Sequence, residues 1–263
     1  MKWIAGLLCA LLLPAHVLAA QQSAELRISV GDWPPFLTTQ LRHNGVMAHM
    51  ISDIFADEGY RVSFVFLPWA RAYADAADGK FDATAIWMRK AEREQEFIFS
   101  EPLLVEQFVF FHLKEKPFSW EKFSDLQGMK LGGGLEYSYG PEFDAYLASG
   151  QLLMERVPNS RQNFEKLLRK RIELYPEEIH VGYATLRSHF KPEDVEKITH
   201  AQKPLLNNLS YLMLPKQLAG SPALVERFNK RLQMYRDSGR YERYFEDLRT
   251  GKYDLPASEK TVN

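Results

Sequence analysis

The tightest constraint on this chain is the order of its periodicities between residues 25 and 87. Glu25 to Val30 alternates and predicts a strand. Gly31 to Phe36 follows as a loop, broken by Pro34 and Pro35. Val46 to Glu58 then carries Met47, Met50, Ile51, Ile54 and Phe55 at helical spacing, with Gly59 as its stop. Tyr60 to Leu67 is β-rich, with Val62, Phe64 and Phe66 on one face; Ala70 to Asp78 reads as a helix, and Phe81 to Trp87 as another strand. Strands that alternate with helices bury both faces of a mostly parallel sheet, so the order predicts an α/β fold.

A second α/β pattern begins after a long apolar strand at Val105 to Leu113. Met129 to Gly132 is a short strand, Gly132 to Gly134 a loop, Tyr139 to Ala148 a helix and Leu152 to Val157 a strand. Asn159 or Ser160 caps a helix running to Arg171. Ile172 to Tyr175 and Ile179 to Tyr183 read as strands flanking a Pro-Glu-Glu turn, and Tyr211 to Leu214 as another short strand. Ser221-Pro222 starts a helix with serine as the cap, its apolar stripe being Leu224, Phe228, Leu232 and Tyr235. Tyr241 to Leu248 is a second, shorter helix. No Gly/Ser-rich linker separates the blocks, so two extended segments near 110 and 212 are expected to join them as a hinge. The expected organisation is a first lobe of residues 24–110 plus 212–255, a second lobe of 111–211 and a flexible tail of 256–263. A ligand would sit in the groove between the lobes.

The first twenty residues stand apart from this fold. Lys2, the apolar run Ile4 to Leu13 and the small residues ending in Ala19-Ala20 have the layout of a cleavable secretory signal peptide. The apolar run is short for a membrane span. Cys9 is the only cysteine, so cleavage leaves a chain without disulfides, thiol nucleophile or thiolate metal site. The remaining length, about 240 residues, is enough to be held by apolar cores alone. With a net charge of −1 and no basic block, nothing points to nucleic acid.

Catalytic signatures are scarce. Gly134 to Gly140 only looks like Gly-x-Ser-x-Gly, the triple glycine is not a phosphate-binding loop, and no metal site or cofactor motif is present. His43, His49, His112, His180, His189 and His200 show no paired metal-ligand spacing. Glu177 and Glu178 are adjacent, so on an extended segment they point to different sides.

The most specific segment is Gly79-Lys-Phe-Asp82, Arg93 and Phe99-Ser100-Glu-Pro102. A Gly-x-x-Asp strand, a loop arginine and, six residues later, Phe-Ser followed by proline resemble the extracellular solute-binding proteins that serve polar amino acid ABC transporters. Gly31-Asp-Trp33-Pro-Pro-Phe36, Gly45 with its helix, Leu67-Pro-Trp69-x-Arg71, Phe123 to Gly128, Gly134 to Gly140 and Leu168-Arg-Lys-Arg171-Ile-Glu173 follow in the family's order, so the resemblance covers nearly all of the mature chain. It implies a type II periplasmic binding fold, two lobes closing on a small polar, amino-acid-like carboxylate. It also implies a monomer in the periplasm, delivering its ligand to an ABC transporter permease and touching the inner membrane only through that partner.

By the same resemblance Arg93 would clamp the ligand carboxylate through paired charge-assisted hydrogen bonds, and Glu178, five residues after Glu173, would hold its ammonium. Tyr137 and Ser138 would reach the ligand from the start of the second-lobe helix, and Trp33 and Trp87 would pack on its side chain. Trp69, Arg71, Tyr241, Tyr244 and Phe245 read as structural. Three departures stand out: Lys170 replaces the usual glycine, Glu173 the usual aspartate, and Trp87 occupies ground where many amino-acid binders carry small hydroxyl residues. Two rival readings use the same fold: an exported cyclohexadienyl-dehydratase-like enzyme with Glu136, Glu173 or Glu178 as its acid, and a ligand sensor for a membrane receptor.

Overall fold

The computed structural model describes residues 24–135 and 137–256; the signal-peptide segment, Glu136 and the tail from 257 onward lie outside the described residues. The chain opens with β1 (Ala24–Val30), α1 (Val46–Ala56), β2 (Tyr60–Phe66), α2 (Trp69–Ala77) and β3 (Ala83–Met88). A short turn of helix α3 (Arg93–Glu96) and β4 (Phe97–Phe99) lead into the long strand β5 (Leu104–Leu113). Then come β6 (Leu131–Gly134), α4 (Pro141–Ala148), β7 (Met154–Val157), α5 (Ser160–Leu168), β8 (Tyr175–Glu178), α6 (Ile179–His189), α7 (Pro192–Val195) and β9 (Ile198–His200). The long β10 (Leu206–Pro215) returns the chain to α8 (Ser221–Asp237) and α9 (Arg240–Arg249).

β1 pairs in parallel with both β2 and β3. The sheet continues through β10, β5 and β8, all antiparallel to their neighbours, in the order β2-β1-β3-β10-β5-β8. β6 and β7 form a separate parallel pair, bridged to the rest at Leu131–Leu174. The fold is therefore mixed α/β, with antiparallel pairing where β5 and β10 run side by side.

Those two strands join separate apolar cores. Leu104 and Leu212 belong to the first core, with Ile28, Val30, Met50, Ile54, Phe55 and Phe228. Phe108 and Phe110, further along β5, belong to a second core with Leu131, Tyr139 and Phe143, and Leu206 of β10 packs against it. The other face of β5 supplies Val109 and Phe111 to a third core under α5 and α6.

α1 shows why the sequence folds this way locally. Its buried face carries Met47, Met50, Ile51, Ile54 and Phe55, each worth about 1.5–3 kcal/mol relative to exposure. Gly45 precedes it at φ 94, and a Cβ there would lie 2.6 Å from the Phe36 carbonyl oxygen. Only glycine fits that turn without strain.

Three local expectations are corrected. Pro176-Glu177-Glu178 is not a turn but the core of β8, an edge strand paired only to β5, where the missing proline N–H removes no ladder bond. Ile179 to Tyr183 is not a strand but the start of α6, because Glu178 caps that helix and Val181, Gly182 and Leu186 bury at helical spacing. Ser221 does not cap α8; Gly220 does, and the Ser221 hydroxyl donates instead to the Pro215 carbonyl at 2.6 Å.

Candidate functional site

The parallel strands β1 and β3 end together, and ligands of open α/β sheets bind beyond the carboxyl ends of such strands. After β1, Gly31 to Leu37 forms a tight loop in which the Trp33 N–H donates to Leu37 O at 2.6 Å and the Phe36 N–H to Trp33 O at 2.9 Å. The Trp33 ring, half-buried, lies 4.8 Å from Phe36. Trp69, at the first position of α2, lays its indole over Gly31, in the volume a Cβ would occupy.

β3 ends in a bulge. Tyr211 pairs with Trp87 and Leu212 with Ala85, which leaves Ile86 unpaired at φ 64. A β-branched residue is strained there. The bulge re-aims Trp87, whose indole N–H donates to Thr84 Oγ1 at 2.8 Å and whose ring meets Trp69 edge-on at 5.1 Å and Tyr73 at 5.5 Å. Arg93, at the head of α3, places its guanidinium 4.8 Å over the Trp87 ring and donates to the Met88 carbonyl at 2.7 Å. Burial lowers the pKa of this half-buried arginine from its ordinary value, which leaves it positively charged at any ordinary pH. The planar face is spent on indole, and one nitrogen on backbone.

In the second half, Arg156 fixes the loop after β6 by donating to the Gly134 and Tyr137 carbonyls at 2.7 and 2.8 Å. Tyr137 is partly exposed; desolvation, followed by the fields of Glu177 and Glu106, pushes its phenol up to about 12. Ser138 turns its hydroxyl to Asp144 at 2.5 Å, holding the loop ahead of α4. Its side chain thus positions backbone rather than standing free for a ligand.

Glu178 is fully buried. One carboxylate oxygen accepts the His180 and Val181 backbone N–H groups at 2.8 and 2.9 Å, and the other meets His180 Nδ1 at 3.0 Å. The His180 ring touches Phe36 edge-on at 5.8 Å. A continuous line of contacts therefore runs from Trp33 through Phe36 and His180 to Glu178, from the first core's loop to the second half's helix α6.

Glu177 points away from Glu178, as neighbours on a strand do. It is buried and accepts hydrogen bonds from Ser160, Tyr175 and the Glu178 N–H, and burial raises its carboxyl above the ordinary value. Glu106 of β5 was not singled out from the sequence. It is 5 % exposed and accepts from Ser210 and Asn208 of β10. Its signal was a lone carboxylate inside an apolar strand.

The structure thus brings Trp87 and Arg93 together and links Trp33 to Glu178. Tyr137 and Ser138 lie on the second half's loop, and Glu173 lies away from both groups, pairing with Lys116 at 3.6 Å. Among the described residues no cluster of His, Cys, Asp or Glu is arranged to hold a metal ion, and no helix is long and apolar enough to cross a membrane.

Known structures share this fold. Substrate-binding domain 2 of GlnP from Lactococcus lactis, in its open conformation, superposes with a TM-score of 0.68 at 16% identity, covering 87% of this chain and 96% of that one. An ancestral arginine-binding protein bound to arginine gives 0.62 at 19%, over 86% and 98%. A histidine kinase sensor domain similar to periplasmic binding proteins gives 0.61 at 16%, over 86% and 96%. No curated protein sequence matches the chain. The profile of one family does match, over residues 26–251. The chain belongs to family 3 of the bacterial extracellular solute-binding proteins.

Proposed function

We propose that this protein captures a small amino-acid-like solute in the periplasm, after removal of its signal peptide, and presents it in a closed form to an ABC transporter permease. The observation that carries the reading is the contact line Trp33–Phe36–His180–Glu178, which joins an aromatic loop beside Arg93's cluster to a buried carboxylate across the hinge strands. A ligand carboxylate is taken by Arg93, which exchanges its bond to the Met88 carbonyl for two charge-assisted bonds. Trp33, Trp69 and Trp87 supply apolar walls, and Glu178 the negative end. A solute touching both halves binds the closed arrangement more tightly and shifts the population towards it.

The test is a thermal-shift panel of L-amino acids, small carboxylates and amines on the mature chain. A true ligand at a hundred times its Kd stabilises the fold by about 2.7 kcal/mol. Arg93→Ala should cost that ligand about 2–5 kcal/mol of binding. Silence across the panel, or an affinity change below tenfold in Arg93→Ala by calorimetry, defeats the reading. Turnover of prephenate or arogenate would replace it with an enzymatic one.

A further inference from the structure

The strand directions give the second half two unlike poles. β6 runs parallel to β7, and Leu131 at its start bridges in parallel to Leu174 just before β8. β5 runs antiparallel to β8 and β9. The carboxyl ends of β6, β7 and β8, with Tyr137 and Glu178, therefore lie at one pole, and the starts of those strands lie at the other with the end of β5. This far pole is basic. Segments 114–116, 130 and 169–173 place six lysines and arginines there against two glutamates, a surplus of four in a chain whose net charge is −1. The adjoining turn 191–197 takes one back, with two lysines against three acids. All six cations are exposed. Lys116 pairs with Glu173 at 3.6 Å and Lys170 with Glu115 at 2.6 Å; among the described residues Lys114, Lys130, Arg169 and Arg171 make no ion pair. The segments touch one another: the Lys114 N–H donates to Lys197 O at 2.8 Å and the Glu173 N–H to Lys130 O at 2.7 Å. Two features set this pole apart from an ordinary solvated face. Lys170 holds φ 56, a strained conformation that glycine would adopt freely. Leu153, at 77 % the most exposed large apolar side chain among the described residues, comes level with Lys130, because Met154 pairs with Leu131.

We propose that this pole is a docking surface for an anionic phospholipid bilayer, with the lysines and arginines over the headgroups and Leu153 entering the interface. The inference does not depend on what the groove binds. It departs from the expectation that the chain touches the membrane only through a protein partner. Three observations favour a bilayer over an acidic protein face. The unpaired cations stand exposed on three separate segments of chain, so they answer to the density of negative charge around them rather than to a fixed arrangement of carboxylates. An exposed leucine among basic residues pairs a weak apolar anchor with an electrostatic one, the combination that gives reversible interfacial binding. The pole also lies opposite the carboxyl ends of β6, β7 and β8, so a bilayer can be engaged while the groove stays open to solute.

Co-sedimentation of the mature chain with vesicles tests this. The probes are vesicles of phosphatidylglycerol and phosphatidylcholine in equal parts, vesicles of phosphatidylcholine alone, and beads carrying poly-L-glutamate. The expectation is binding to the mixed vesicles in about 0.01 M salt, where charges act over about 30 Å, and its loss in about 1 M salt, where they act over about 3 Å. Phosphatidylcholine alone should bind little. Lys130→Gln combined with Arg171→Gln removes two of the unpaired charges and should weaken binding about tenfold or more. Lys230→Gln combined with Arg243→Gln removes the same charge from exposed positions on α8 and α9 and should stay within about threefold of the parent. Leu153→Ser should weaken vesicle binding and leave retention on poly-L-glutamate unchanged. No sedimentation in low salt, or equal losses in the two double variants, overturns the proposal. So does equal binding to neutral vesicles. Retention on poly-L-glutamate without vesicle binding assigns the pole to an acidic protein partner and overturns the bilayer. The salt and lipid comparisons need no variant, so a poorly folding variant would not blunt the result.

Discussion

Removing the Glu178 carboxylate tests whether the second half of the site is built on a helix cap. Three donors depend on that side chain: the His180 and Val181 backbone N–H groups and His180 Nδ1. The first two are among the four N–H groups that a helix cannot satisfy internally. Glu178→Ala leaves them facing a space that was fully buried. Loss of an N-cap costs about 1 kcal/mol, and each buried donor left unmet about 1–3 kcal/mol. Water entering the vacated volume recovers part of this, so a loss of about 3 kcal/mol is expected. For a chain of this size that lowers Tm by roughly 6–12 °C.

Glu178→Gln keeps a carbonyl oxygen for the two backbone donors; it loses the charge and turns its amide NH2 to His180 Nδ1, which can accept that bond in the other imidazole tautomer, so its cost should stay near 1 kcal/mol. The urea midpoint reads both values, and amide exchange at His180 and Val181 localises them. The same pair separates stability from binding: a ligand ammonium at Glu178 makes Glu178→Gln lose at least tenfold in affinity while the fold stays nearly intact. An alanine variant within 0.5 kcal/mol of the parent, with unchanged exchange at those two amides, refutes the cap and with it the preformed half-site.

Three further outcomes follow from other positions. Gly31→Ala puts a methyl into the Trp69 indole; overpacking of this kind costs about 1–3 kcal/mol, and the tryptophan emission should shift to the red, whereas unchanged emission refutes the close approach. Lys170 adopts φ 56 after α5, a conformation costing a non-glycine residue about 1–2 kcal/mol, and its exposed pair with Glu115 returns at most about 1 kcal/mol. Lys170→Gly should therefore raise the urea midpoint slightly, by the equivalent of about 0.5 kcal/mol, and a fall would count against the strain. His49 is held below its ordinary pKa of 6.5, first by burial, with Asp53 opposing and His43 and Arg240 assisting. The unfolded chain then binds the proton more readily, so the stability His49 contributes is full above pH 6.5 and is lost as pH falls through the lowered folded value. His49→Gln should flatten the stability profile between pH 7.5 and 5.5, and parallel profiles would refute this.

The alternation of β1, α1, β2, α2 and β3 was legible because each element carries its own periodicity and its own stop. The second half was harder to read. Pro176, Glu177 and Glu178 have turn composition, yet they form an edge strand, because β5 offers one ladder and Pro176 needs to donate nothing to it. Ile179 to Tyr183 alternates like a strand, yet the Glu178 cap starts a helix there. The strain at Lys170, by contrast, was marked in the sequence as a lysine standing where the family usually has glycine.

The site divides along the same line. The order of the segments puts Trp87 at the end of β3 and Arg93 just beyond it, but does not reveal the stacking of the Arg93 guanidinium on the Trp87 indole. Trp69 reads as structural, since nothing local says that its indole crosses Gly31, thirty-eight positions earlier in the chain. Glu106 is the sharper case. A single carboxylate inside Val105 to Leu113 cannot be buried without something to meet its charge, and that alone could have marked it. What the sequence could not supply was the identity of its neighbours. The register that sets Glu106 beside Asn208 and diagonal to Glu178 depends on strands separated from β5 by whole helices.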